Sequence, residues 1–152
     1  MKPRVYTDTS VLGGCEDVEF REPSVSLLNA FQRGDLTLVL SELTVRELET
    51  APERVRIVFA RVPSRHIEAI GLSAEAEDLA SAYIADGAVG ASMRADALHI
   101  ALATLARVDV LVSWNFKHIV NLKRIHAYNA VNLKKGYPLL EIRTPREVLG
   151  DE

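Results

Sequence analysis

The sequence predicts an α/β fold: a mainly parallel central sheet covered by helices on both faces. Three observations predict it. Short β-prone runs alternate with longer runs of helical spacing, Gly and Pro fall at the junctions, and the alternation continues through most of the chain. The first strand is Arg4-Val5-Tyr6-Thr7, and further strands are expected over residues 36–40, 66–70, 110–113 and 139–142. Pro23-Ser24 opens a helix that reaches Arg33 and stops at Gly34. Thr44 opens a second, ending at Ala51 before Pro52, and residues 53–61 form a third, closed by Pro63. Ser73 begins a helix over residues 74–86, with Leu79, Tyr83 and Ile84 on one stripe and Gly87 as terminator. A helix over residues 92–107 sets Leu98, Leu102 and Leu105 on one face, with Ile100 and Ala103 alongside. Residues 87–91 read as a flexible loop inside the domain. Thr144-Pro145 opens a short turn of helix, after which the last few residues are expected to fray.

The 152 residues are expected to form one domain over 1–152, without internal repeat, low-complexity tract or linker. Apolar residues at 48% and charged residues at 26% exclude a disordered or fibrous chain. The lone Cys15 cannot form an internal disulfide, which points to a reducing compartment. The longest runs without Lys, Arg, Asp or Glu, residues 23–32 and 97–106, fall short of the roughly 18 residues a membrane span needs. The opening Met1-Lys2-Pro3-Arg4-Val5 lacks the apolar region of a signal peptide, so no membrane and a cytoplasmic location are expected.

A formal charge of −3 argues against a protein that coats nucleic acid, yet the charge is unevenly spread. Between Asp109 and Glu141 there is no acid, while Lys117, Lys123, Arg124, Lys134 and Lys135 lie there with His118 and His126. That interval carries +5 and leaves −8 for the rest. It reads either as a solvated basic helix face or as a phosphate-binding rim beside an acidic centre.

In open α/β sheets the functional crevice lies outside the carboxyl ends of the strands, so polar residues just after strands carry most information. Asp8 follows the first strand, with the Thr9 and Ser10 hydroxyls near enough to orient it; an N-cap or Asx turn explains it equally well. Glu47 follows the second strand, but Thr44-x-x-Glu47 also reads as a capping box, and Glu42 and Glu49 are rivals for its role. Arg46 reads as a salt-bridged surface residue. Asp96 stands in the first turn of the Ala-rich helix, where the dipole favours any acid. His99, one turn on, reads as a hydrogen-bonded core histidine. After the fourth strand comes Ser113-Trp114-Asn115-Phe116-Lys117-His118, where Asn115 could offer an amide oxygen to a cation or a bound water. Trp114 and Phe116 read as core packing. Asp109 precedes the same strand and so belongs at the opposite edge, about 20 Å away. Three carboxylates at one edge repel unless a cation neutralises them, and an all-oxygen set suits Mg²⁺ or Mn²⁺. No Cys/His spacing suggests zinc, and no Gly-rich phosphate loop suggests a nucleotide.

Four pieces occur in register: Val5-Tyr6-Thr7-Asp8-Thr9-Ser10-Val11-Leu12, Ser41-Glu42-Leu43-Thr44-Val45-Arg46-Glu47-Leu48, Ala95-Asp96-Ala97-Leu98-His99-Ile100-Ala101-Leu102-Ala103 and Leu111-Val112-Ser113-Trp114-Asn115-Phe116-Lys117-His118-Ile119. In these the chain resembles a PIN domain, the metal-dependent ribonuclease fold of VapC-like toxins. The resemblance implies a three-layer α/β/α domain. It implies Asp8, Glu47 and Asp96 as acidic ligands of Mg²⁺ or Mn²⁺, with Asn115 where many relatives carry a fourth acid. Ser10, Thr44 and Ser113 would support the site, and Lys117, His118, Lys123 and Arg124 would meet the phosphates. It further implies RNA phosphodiester hydrolysis, a separately encoded antitoxin as partner, and a homodimer. Two rivals stand beside this reading. One is a PIN-like module that binds RNA or a protein without cutting, suggested by Asn115. The other is an aspartyl phosphatase built on Asp8, which wants a second acid where the chain has Ser10.

Overall fold

In the computed structural model, which describes residues 2–149, the chain forms five strands and eight α-helices. In order these are β1 Arg4–Thr7, α1 Thr9–Gly14, α2 Arg21–Arg33, β2 Thr37–Ser41, α3 Glu42–Glu49, α4 Glu53–Ala60, β3 Ile67–Ile70, α5 Ala74–Ala85, α6 Arg94–Ala106, β4 Val110–Val112, α7 Leu122–Lys134, β5 Ile142–Arg143 and α8 Pro145–Leu149. Single turns of 3-10 helix cover Ser64–His66 and Ala91–Met93. The sheet order is β3-β2-β1-β4-β5 and every pairing is parallel.

A parallel sheet must be covered on both sides, and the alternation along each strand accomplishes this. Tyr6, Val39, Leu111 and Ile142 point into one core with residues of α5, α6 and α7. Val5, Leu38, Leu40 and Val112 point into the other with residues of α1, α2, α3 and α4. The chain ends α2 at Gly34, whose φ of 83° is left-handed; a side chain there would also meet the His66 ring, 2.6 Å from an added Cβ. β1 lies at the centre with β2 to one side and β4 to the other, so the chain reverses its direction of strand addition across β1. A crevice opens at such a reversal, on the carboxyl side of the sheet.

Several boundaries differ from the sequence reading. The second helix starts at Glu42 rather than Thr44, because Ser41 caps it: its Oγ accepts the Thr44 N–H at 3.3 Å. The first starts at Arg21, and the Ala-rich helix at Arg94 after a 3-10 turn. The fifth strand is Ile142–Arg143, not 139–142. Asn129 of α7 explains the difference, since its amide takes both backbone groups of Leu140, the N–H at 2.8 Å and the carbonyl at 3.1 Å. Residues 87–91 are no flexible loop: Ala88 and Val89 are buried in the core. The sequence does not anticipate α1, and it offers a basic helix face between Asp109 and Glu141 without the bounds that α7 supplies. The short α8 forms as expected, with Thr144 and Glu147 capping each other. The expected fraying concerns residues 150–152, which lie outside the described residues.

A candidate acidic site at the carboxyl edge

Asp8 occupies the N-cap position of α1, yet its side chain makes no capping hydrogen bond. The Val11 N–H nearby favours the charged carboxylate, as at an N-cap, but without a hydrogen bond of good geometry. Instead Oδ1 accepts the Ser10 hydroxyl at 2.6 Å and Oδ2 accepts the Ser113 hydroxyl at 2.6 Å. Each hydroxyl is itself aimed by a backbone N–H from the segment after β4: Trp114 donates to Ser10 Oγ and Asn115 to Ser113 Oγ, both at 2.9 Å. Hydrogen bonds to a charged group are worth about 1.5–3 kcal/mol each, enough to fix the plane of the carboxylate. Asp8 is 6% exposed, and burial pushes its carboxyl up from the ordinary value against the opposing effect of His99, Ser10 and Ser113.

Glu47 sits near the end of α3 and caps nothing, because Ser41 holds the helix start. Its Oε1 accepts the Thr9 hydroxyl at 2.6 Å and lies 3.0 Å from His99 Nε2. Thr9 thus serves Glu47, not Asp8 as the sequence reading had it. Burial raises the Glu47 carboxyl, but the His99 and Thr9 hydrogen bonds outweigh it and hold the group below its ordinary value. Glu42 and Glu49 are exposed, and Glu42 pairs with Arg46 one turn along. Asp96 stands in the first turn of α6, and burial raises its carboxyl while His118 and His99 act against the rise.

Asp8, Thr9, Ser10, Glu47, Asp96, His99 and Asn115 line one pocket of about 190 Å³. Asn115 does not present the amide oxygen expected of it. That oxygen accepts the His118 N–H at 2.9 Å in a turn, so the NH₂ group faces Asp96 Oδ2 at 3.4 Å. Thr44 is buried beneath the start of α3 and does not line the pocket. Ser113 does not line the pocket but bonds three residues that do, Asp8, Ser10 and Asn115. Asp109 lies at the far edge, where it accepts the Arg4 N–H at 2.6 Å.

The basic residues divide. Lys117 and Lys123 are exposed; Arg124 is half-buried and donates from one guanidinium nitrogen to the Ala88 carbonyl at 2.8 Å. Lys134 pairs with Asp86. His118 is the one of the four candidates whose charge bears on an acid of the site, Asp96. Trp114 is core, stacked on Phe20 with its Nε1 donating to Ser24, but Phe116 is half exposed and not core.

Among the described residues no three His, Cys, Asp or Glu side chains gather closely enough to hold a metal ion on protein ligands alone. The donor set nevertheless fits Mg²⁺, which keeps several waters and binds through one or two carboxylates. The raised Asp8 and Asp96 carboxyls also mark a place where a cation would relieve charge. His99 is the buried, hydrogen-bonded histidine that the sequence indicates, 2% exposed, and it also lines the pocket one turn from Asp96. Tyr6, which the sequence marks only as strand, adds a hydroxyl 2.7 Å from His99 Nδ1.

No protein-family model and no curated protein matches the chain. Solved structures do. A chain of VapBC2 from Rickettsia felis, bound to a DNA fragment from its promoter, aligns with a TM-score of 0.57 at 16% identity over 93% of this chain and 98% of that one. A chain of FitAcB from Neisseria gonorrhoeae aligns with a TM-score of 0.58 at 13% identity over 93% and 97%. A chain of FitAB bound to an IR36 DNA fragment aligns at 0.56 and 13% over 93% and 94%. At such identity the likeness is one of fold, and the fold is the PIN-like α/β/α arrangement.

Proposed function

We propose that this chain is a divalent-metal-dependent ribonuclease, the toxin of a toxin–antitoxin pair, folded as one domain over 1–152 and acting in the cytoplasm. One observation carries the reading: Asp8, buried and held through both oxygens by the Ser10 and Ser113 hydroxyls, shares a pocket with Glu47 and Asp96 at the point where strand order reverses. A PIN-like fold shared with chains of VapBC2 and FitAB toxin–antitoxin complexes supports it. By the same likeness an antitoxin is the expected partner, and a homodimer the expected assembly.

Asp8 and Asp96 would hold Mg²⁺ or Mn²⁺, with Glu47 ligating directly or through a water. The ion's chemistry there is to acidify a bound water and to offset charge on the phosphate. The chain's own residues do the rest. Ser10 and Ser113 fix the Asp8 carboxylate, and Glu47 Oε2, without a hydrogen-bond partner among the described residues, is left to meet the ion or a water bound to it. Lys117 and Lys123, exposed and following Asn115 in the chain, are available to the RNA backbone.

Asn115 favours a second reading, a module that binds RNA or a protein without cutting, since it offers Asp96 a donor where a ligand oxygen would serve a second ion. Calorimetric Mn²⁺ titration separates the two. The ribonuclease reading expects saturable binding by the native chain and its loss in Asp8→Asn; identical titrations for the two proteins would contradict it.

A further inference from the structure

Glu47 is held differently from the other two acids. Two donors meet on Oε1, the Thr9 hydroxyl and His99 Nε2, while Oε2 has no hydrogen-bond partner among the described residues. The His99 ring is itself confined. It is 2% exposed and lies edge-on to Tyr6, with ring centroids 5.7 Å apart. Its Nδ1 is 2.7 Å from the Tyr6 hydroxyl, which lies 2.8 Å from Ser41 Oγ.

A carboxylate can only accept, so Nε2 carries a proton. With a neutral ring, Ser41 donates to Tyr6 and Tyr6 donates to Nδ1. With a charged ring both bonds reverse, and Ser41 turns its proton to Thr44 Oγ1 at 3.4 Å. Nε2 donates to Glu47 in either case, so the hold on Oε1 is independent of the ring's protonation.

We propose that the buried Ser41–Tyr6–His99 chain positions Glu47, locking Oε1 so that Oε2 is presented to a divalent cation or to its bound water. This inference rests on the nuclease reading above. It makes His99 and Tyr6 positioning residues and ties four elements, β1, β2, α3 and α6, to the placement of one oxygen.

Mn²⁺ affinity, measured by calorimetry on the full chain where circular dichroism shows each variant folded, tests it without recourse to activity. His99→Leu removes the donor, Tyr6→Phe frees the ring, and His99→Gln returns an amide N–H near the position of Nε2. Loss of a residue that orients a ligand costs about 10–100-fold in metal affinity, so His99→Leu should weaken binding by at least about tenfold. Tyr6→Phe should show a smaller loss in the same direction, and His99→Gln should recover most of the affinity. Unchanged affinity in both His99→Leu and Tyr6→Phe would overturn the inference alone, as would equal losses in His99→Leu and His99→Gln. Should His99→Leu not fold, Tyr6→Phe decides by the same criterion. Absence of Mn²⁺ binding by the native chain would overturn the nuclease reading and this inference with it.

Discussion

Asp8 and Asp96 are raised by burial and Glu47 is lowered by its hydrogen bonds, so the three acids respond to pH in opposite senses. For Asp8 the native state keeps a proton that the unfolded chain has released. Its contribution to stability is full below the ordinary 3.8 and is lost as pH rises through the raised value. Glu47 contributes above its ordinary 4.5, and that contribution is lost as pH falls through its lowered value. In EDTA, the thermal midpoint of the native chain should therefore fall relative to that of Asp8→Asn as pH rises above 3.8, leaving the variant equal or higher at neutral pH. A large drop in the variant at neutral pH would mean that the hydroxyl hydrogen bonds to the carboxylate outweigh the cost of burying its charge. Asn115→Asp keeps the acceptor for the His118 N–H but puts a carboxylate oxygen against Asp96. Its midpoint should fall in EDTA and recover in Mn²⁺, with tighter Mn²⁺ binding than the native chain. No change in affinity would place residue 115 outside the reach of the ion. Asp8 and Asp96 were legible because one follows a strand and the other opens a helix; Glu47, near the end of α3, was singled out from Glu42 and Glu49 only by the resemblance to PIN domains. The orientation of Asn115 was not legible, since only the His118 N–H three residues on decides which end of the amide faces the pocket.

At the scale of the element, α3 separates two explanations of Glu47. A capping box would make Glu47→Gln nearly harmless to metal affinity. Instead the cap is Ser41, whose Oγ also meets the Tyr6 hydroxyl. Ser41→Ala should cost about 1–2 kcal/mol in chemical denaturation. Glu47→Gln should leave stability nearly unchanged and weaken Mn²⁺ binding; the reverse pattern would return Glu47 to a capping role. Ser41 and Thr44 both suit an N-cap, and the strand that ends at Ser41 settles the choice by taking β geometry up to that residue. The same difficulty hid the bounds of α7. Its start is Asn121, whose side chain accepts the Arg124 N–H at 2.9 Å, but its apolar positions Ile125, Tyr128 and Val131 are interleaved with basic and amide residues. The fifth strand was misplaced because Leu139 and Leu140 look β-prone, whereas a side-chain amide from another element takes the backbone of Leu140.

Over the whole molecule, the fold class followed from the alternation of strand and helix, and the parallel sheet bore it out. The strand order did not follow from alternation, yet it is what brings the site together. Placing β1 between β2 and β4 carries Asp8, Glu47 and Asn115 to one edge, and the return of α6 ahead of β4 adds Asp96 and His99. Long-range bonds then finish the arrangement: Ser113 to Asp8 across 105 residues and His99 to Glu47 across 52. The uneven charge was legible, but its distribution was not, because Lys134 pairs with Asp86 and Arg124 reaches the Ala88 carbonyl while Lys117 and Lys123 stay exposed. The central claim is that this edge hydrolyses RNA with a divalent ion, and RNA cleavage by the native chain and by Asp8→Asn, each with Mn²⁺ and with EDTA, tests it most directly. Cleavage by the native chain that EDTA stops and Asp8→Asn lacks is the predicted result. Cleavage that survives EDTA or the substitution, or none on varied RNAs by a chain that binds Mn²⁺, would contradict it.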